Sequence, residues 1–372
     1  MIPIWKLKRE IERIKVRAKS VPLLLYEPFL QRRYDKVRCQ RIKITNGKSP
    51  AGDNIVIFLL FQPNGVPKSV FDTCNYLRAS GYTPIIVSNA PLSDLDRVDL
   101  HAFAHVVAER PNFGYDFGGY RDGFWLINEL GLNPRQILFL NDSVWFPTLE
   151  TCTILEKILG SESEYIGAQV FENQAQGIKN QEMFGSYCFA VNKNLLRKPV
   201  FINFWDNYKL TSNKEATLRR GERSFSYQML NSTKNSFGIY SLQRFHSVVN
   251  SLPTYKLREA LEDMIALDPR LEFQRKQLLT FNEVGNWTDD ARSLLKEGAK
   301  TKNYIGSSPI LSIREMGFPM IKKNNERLYT LARKRIVLAA KEGRLDCLLP
   351  TVLVELKEKV ASTERISQPK KG

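Results

Sequence analysis

Residues 54–61 read Asn54-Ile55-Val56-Ile57-Phe58-Leu59-Leu60-Phe61. A continuous apolar run this short has the pattern of a strand buried on both faces, as the strands of a parallel sheet are. The same pattern returns at residues 83–88. It returns again at 136–140, which run directly into Asn141-Asp142-Ser143. Helical stretches separate these runs, over 67–80 before Gly81 and over 117–130 before Gly131, and residues 100–107 read as a further short strand. Strands alternating with helices predict βαβ units and an α/β fold built on a mostly parallel sheet flanked by helices. Farther on, 165–171 and 186–191 read as strands, 195–208 and 225–231 as helices, and from 252 the pattern turns helical and basic. The breaker cluster Ser49-Pro50-Ala51-Gly52-Asp53 predicts a boundary. Three regions follow: a basic helical N-terminal extension at 1–50, a ligand-binding domain at 51–250, and a basic, mainly helical region at 251–372.

The chain has 372 residues, 43% hydrophobic and 25% charged, which excludes a disordered or collagen-like protein. Its formal net charge of +16 is unevenly placed. Residues 1–50 carry 14 basic and 4 acidic side chains, residues 296–372 carry 17 and 8, and the body between is close to neutral. Apolar residues at helical spacing over 4–18 (Ile4, Leu7, Ile11, Ile14, Ala18) describe a basic amphipathic helix. Basic ends on a neutral body fit a protein resting on an anionic membrane surface; solvated helix faces are the plainer reading. Nucleic acid is not an expected partner, because the basic ends offer mainly Trp5, Tyr34 and Tyr329 for base stacking. The five cysteines are odd in number and lack Cys-x-x-Cys spacing, which argues against a disulfide framework and a structural zinc site. With no secretory leader pattern at the start and no apolar run long enough to span a bilayer, a cytoplasmic protein, peripheral on the inner face of the plasma membrane, is expected.

Two segments carry candidate chemistry. The first, Arg110-Pro-Asn112-Phe-Gly114-Tyr115-Asp116-Phe-Gly118-Gly119-Tyr-Arg121-Asp122, leads from a strand into a helix. Glycines there permit close backbone approach, and helix-start amides beside arginines suit a diphosphate. A tight turn that needs glycine for its own geometry is the alternative. The second is Asn141-Asp142-Ser143 at a strand's carboxyl end, where ligands of open α/β sheets bind. A carboxylate between an amide and a hydroxyl suits one hard cation, Mg²⁺ or Mn²⁺. A turn in which Asn and Asp cap the next helix is the alternative. His101 and His105 read as structural, and Trp205 with its aromatic neighbours as core.

The Asn-x-Gly-Tyr-Asp-Phe-Gly-Gly-Tyr-Arg-Asp stretch, followed by a strand ending in Asn-Asp-Ser, resembles the rhamnan synthesis protein F family. Phe184-Gly-Ser186-Tyr187-Cys-Phe189, Phe204-Trp205, Gly221-Glu222-Arg-Ser-Phe-Ser226 and Gly317-Phe-Pro319-Met-Ile-Lys322-Lys323 extend the likeness over roughly residues 55–325. The resemblance implies a GT-A-like (Rossmann-like) glycosyltransferase that moves a hexose, with rhamnose in the family's label, from a nucleotide-diphosphate sugar. The acceptor is a growing polysaccharide or lipopolysaccharide glycan, which lipid-linked would explain the basic ends. A non-catalytic scaffold on the same fold is the alternative. The resemblance also implies that Asp142 holds the cation on the diphosphate, with Asn141 in place of the first acid of an Asp-x-Asp-like motif and Ser143 beside it. Arg110, Asn112, Gly114, Tyr115, Gly118, Gly119 and Arg121 would line the donor, and His246 is a candidate late metal ligand. Glu222 is the expected catalytic base and Asp116 its rival. Glu222 also reads as a first-turn acid complementing a helix dipole, and Arg121 as a surface salt bridge with Asp122 or Asp116.

Overall fold

The computed structural model describes residues 25–173, 181–280 and 285–367. The amphipathic helix expected at 4–18 lies outside them. The strands are β1 (Lys43–Asn46), β2 (Asn54–Leu60), β3 (Thr83–Ser88), β4 (Val106–Glu109), β5 (Gln136–Asn141), β6 (Val144–Trp145), β7 (Tyr165–Asn173), β8 (Gln181–Phe184), β9 (Cys188–Asn192), β10 (Ser236–Tyr240) and β11 (Ile321–Lys322). Nine of them form one sheet in the order β1-β4-β3-β2-β5-β9-β7-β10, with β8 on β7. From β4 to β5 every pairing is parallel. Beyond β5 the sheet is mixed: β9 runs antiparallel to β5 and β7, and β10 returns parallel to β7. The fold is thus the expected α/β sheet flanked by helices.

The uninterrupted apolar character of β2 has a direct cause. Successive side chains of a strand point to opposite faces. Ile55, Ile57 and Leu59 enter one core cluster, while Val56, Phe58 and Leu60 enter another. One cluster includes Trp205, which stacks on Phe117 and Phe139. The other joins the sheet to residues from Leu252 to Met320, so packing continues across the boundary expected at 250/251.

The boundary expected at residue 50 also falls inside the structure. Strand β1 closes the sheet edge antiparallel to β4, and residues 25–36 are helical. His101 and His105 serve this edge: their rings bond the Thr45 hydroxyl and the Ser49 carbonyl at 2.8 and 2.9 Å. The strand expected at 100–107 begins late, because Asp94–His101 is a helix. Ser93 caps that helix by accepting from the Asp96 amide.

The helix Tyr115–Glu129 lies against β2 and β3 on its glycines. A Cβ on Gly119 would sit 2.2 Å from Leu59 Cδ1, one on Gly123 2.5 Å from Ile57 Cγ2, and one on Gly118 2.2 Å from the Phe113 carbonyl oxygen. Gly119 is thus required by packing on β2 and Gly118 by the loop that enters the helix. The obstacle at Gly118 is backbone and cannot rotate away. Gly118→Ala is expected to destabilise the protein by about 2 kcal/mol or more through overpacking. Chemical denaturation checks this; an unchanged midpoint would contradict the packing role.

Candidate active site

The chain runs outward from β2 to β3 and β4, then returns to the other side of β2 as β5. The winding reverses between β2 and β5, and in open α/β sheets the crevice at such a reversal holds the ligand. Asp142, immediately after β5, bridges the two strand ends. Its backbone amide donates to the Leu59 carbonyl at 3.0 Å. Its Oδ2 accepts from the Phe61 amide at 2.8 Å and from Gln62 Nε2 at 2.6 Å.

Asp142 acts electrostatically on Asp116, as do Glu222 and Lys322. Asp116 stands in the first turn of the helix Tyr115–Glu129. The chain enters that helix through two left-handed residues, Gly114 at φ 87° and Tyr115 at φ 50°. A non-glycine residue in that region is uncommon, and such strain collects at functional sites. The Tyr115 hydroxyl donates to the Ser212 carbonyl at 2.9 Å. Asp116 accepts from Asn141 Nδ2 at 3.3 Å. Glu222 lies on a π-helix, Leu218–Arg223, a local widening that recurs at functional sites. Lys322 arrives on β11, which pairs antiparallel with β6 directly after Asp142-Ser143. Its Nζ stands 3.5 Å from the centroid of the Tyr187 ring. The next residue, Lys323, donates its backbone amide to the Ser143 carbonyl at 2.9 Å.

Charge in this crevice is poorly hydrated, and the protonation equilibria follow. Burial, and then the Glu222 and Asp142 carboxylates, push Asp116 up to about 7. Burial raises Glu222 as well, opposed by its hydrogen bond with Ser186 and by Lys322. Burial raises Asp142, opposed by Lys323 and by the Phe61 and Gln62 donors. Lys322 is pulled down to about 8 by burial, with Glu222 and Asp116 opposing. Three carboxyls and an ammonium with displaced equilibria in one crevice mark a catalytic candidate.

Other expected site residues lie elsewhere. Arg110 is 3% exposed, and its guanidinium bonds Asp122, Asn89 and the Phe113 carbonyl, each at 2.6 Å. Arg121 is 8% exposed and pairs with Asp35 at 2.7 and 3.0 Å. Arg121 thus ties the helical segment at 25–36 to the body, and Arg110 lies over the Tyr34 ring of the same segment, 5.8 Å from its centroid. Asn112 is exposed, and Gly114 is buried against Leu210. His246 stands on the helix Leu242–Ser251, where Lys296 and Lys300 join burial in lowering its basicity. Two nearby lysines make it a poor metal ligand, and it does not join Asp142.

A Mg²⁺ or Mn²⁺ here would draw on Asp142 and on substrate phosphates rather than on a cage of protein side chains. Among the described residues no three His, Cys, Asp or Glu side chains converge. The Asn141 carbonyl oxygen is turned back to accept from the Ser143 amide and hydroxyl, at 3.1 and 2.6 Å, and Lys323 carries positive charge to Asp142. Lys322 and Lys323, which carry positive charge to Asp116, Glu222 and Asp142, were given no role from the sequence, although the resemblance quoted both.

The family model for rhamnan synthesis protein F matches residues 84–276, just over half of the chain. An uncharacterized protein of Sinorhizobium fredii, y4gN, is 26% identical over 95% of this chain and 92% of its own length. The virulence protein VirA of Vibrio anguillarum is 32% identical, over 43% of this chain and about half of its own, 49%. Among solved structures, the glycosyltransferase GlyE of Streptococcus pneumoniae TIGR4 aligns over 68% of this chain and 64% of its own. That alignment has 10% identity and a TM-score of 0.29, which does not by itself establish a common fold. With the family model spanning both the Tyr-Asp-Phe-Gly-Gly helix start and the Asn-Asp-Ser strand end, the chain belongs to the rhamnan synthesis protein F family.

Proposed function

We propose that the protein is a glycosyltransferase of polysaccharide synthesis. It would take a hexose, rhamnose by the family's label, from a nucleoside-diphosphate donor and place it on a growing cell-surface polysaccharide or lipopolysaccharide glycan. The observation that carries this reading is the convergence of Asp142, Glu222 and Lys322 on Asp116, with Asp142 bridging the ends of β2 and β5.

The transfer breaks the bond between the sugar's anomeric carbon and the diphosphate, which leaves with the electron pair. A bond forms from the acceptor hydroxyl oxygen to that carbon, and the hydroxyl proton passes to a carboxylate. A base works best with an affinity for protons near the operating pH. Asp116 has that property and Glu222 is shifted in the same direction. Glu222 is the proposed base and Asp116 the alternative, with activities of Glu222→Gln and Asp116→Asn deciding between them. Asp142 fixes the two strand ends that frame the diphosphate. A non-catalytic scaffold is the second reading, favoured by the inward turn of the Asn141 carbonyl. The acceptor's lipid linkage and an anionic membrane at the cytoplasmic face are supported by the basic residues 1–50. No helix among the described residues is long and apolar enough to cross a membrane.

Incubation of the purified chain with a panel of nucleotide sugars, with and without Mn²⁺, is expected to release nucleoside diphosphate. Asp142→Ala is expected to slow that release by about 100-fold or more. Release at the wild-type rate in this variant would remove Asp142 from the donor site, and no release with any donor would favour the scaffold.

The Asp116 equilibrium gives a second test, independent of turnover. Its affinity for protons rises on folding, from 3.8 to about 7. The stability it contributes is therefore fully present at acid pH and is lost as pH rises through about 7. Asp116→Asn is expected to be more stable than wild type at pH 8, by on the order of 1 kcal/mol. That advantage should vanish near pH 4. Parallel thermal unfolding curves at both pH values would contradict the buried, crowded carboxyl.

A further inference from the structure

We propose that Lys322, with Lys323 behind it, is the cationic anchor for the diphosphate of a nucleoside diphosphate in this crevice, taking the place of a divalent ion. This rests on the donor-binding reading above and assigns the charge that reading needs. A diphosphate requires positive charge to bind and to depart. The two arginines nearest the helix start do not supply it, since Arg110 and Arg121 are ion-paired to Asp122 and Asp35 inside the protein. Around Asp142 no three metal-binding side chains converge among the described residues, so the protein holds no cation there by its own side chains alone.

The lysines differ from other partly buried cations of the chain. Lys198 and Lys256 are closed on Glu164 and Glu315, at 2.6 and 3.0 Å. Among the described residues, neither Lys322 nor Lys323 makes an ion pair within 4.0 Å, although Asp116, Glu222 and Asp142 act on them electrostatically. Each ammonium rests on an aromatic ring instead, Lys322 at 3.5 Å from the Tyr187 centroid and Lys323 at 5.2 Å from that of Trp145. A ring face attracts a cation without using its hydrogens in conventional hydrogen bonds, so the three donors of Lys322 stay available for phosphate oxygens. The placement is built into the fold. The β11–β6 pairing sets Ile321 opposite Trp145 and Lys322 opposite Val144. Trp145 is fixed in turn by its Nε1, which donates to Glu355 at 2.8 Å.

The test is titration of the full chain with UDP and dTDP by calorimetry, in EDTA and then with Mn²⁺, for wild type, Lys322→Met and Lys322→Arg. Uridine and thymidine serve as controls lacking the diphosphate. Wild type is expected to bind a diphosphate in EDTA. Lys322→Met is expected to weaken it about 10-fold to 100-fold, with nucleoside affinity unchanged and Lys322→Arg recovering part of the loss. Should Lys322→Met fail to fold, the salt dependence of wild-type binding in EDTA decides, with affinity expected to fall as salt rises. Binding that needs Mn²⁺, wild-type affinity in folded Lys322→Met, or salt-independent binding in EDTA would overturn the lysine anchor and leave the donor reading standing. No diphosphate binding under either condition would overturn both.

Discussion

Two hydrogen bonds onto one carboxylate oxygen hold the functional end of this molecule together. Asp142, just beyond β5, accepts from the Phe61 amide and the Gln62 side chain just beyond β2. Those strands lie side by side where the sheet's winding reverses, so their ends part there and leave two backbone termini in need of partners. The carboxylate satisfies one of those donors and fixes the width of the crevice. The rest of the site is arranged around that span. Asn141 ties Asp116 to it, β6 follows directly, and β11 brings the lysines to β6.

The consequence is an accumulation of charge in a place with little water. Burial makes ionisation harder for all three carboxyls, neighbouring carboxylates add to this at Asp116, and burial makes the lysine hold its proton less firmly than in water. A fold tolerates such a cluster when the surroundings are rigid. Here the surroundings are the two apolar clusters on either side of β2 and the aromatic stack of Phe117, Phe139 and Trp205. Gly221 presses on Phe117, since a Cβ there would lie 2.6 Å from its Cγ, and the π-turn that carries Glu222 is thereby seated on the core.

The legible parts of the fold were those with one dominant physical cause. Strands β2, β3 and β5 are buried on both faces, so their central residues are apolar without alternation and cannot be mistaken for surface. Strand β1 was not legible: Lys43-Ile44-Thr45-Asn46 is short, polar and at the edge, and only its pairing with β4 makes it a strand. The helix Asp94–His101 was hidden for want of an apolar repeat, though Ser93 and the acids after it are an N-terminal signature. In the site, Asp116, Asp142 and Glu222 stood out because acids beside strand ends and glycine turns are few. Arg110 and Arg121 looked equally suited to phosphate, but a sequence does not show that Asp122 and Asp35 already neutralise them. Lys322 and Lys323 reach the site only through a pairing that spans about 180 positions, which no local pattern announces.

The most direct measurement is a crystal structure of the protein with a nucleoside diphosphate bound. The expected density places the diphosphate between the ends of β2 and β5, with its oxygens in hydrogen-bond reach of the Lys322 ammonium. A nucleotide seated elsewhere on the sheet, or one whose phosphates lie against Arg110 or Arg121 after those side chains have left Asp122 and Asp35, would contradict it.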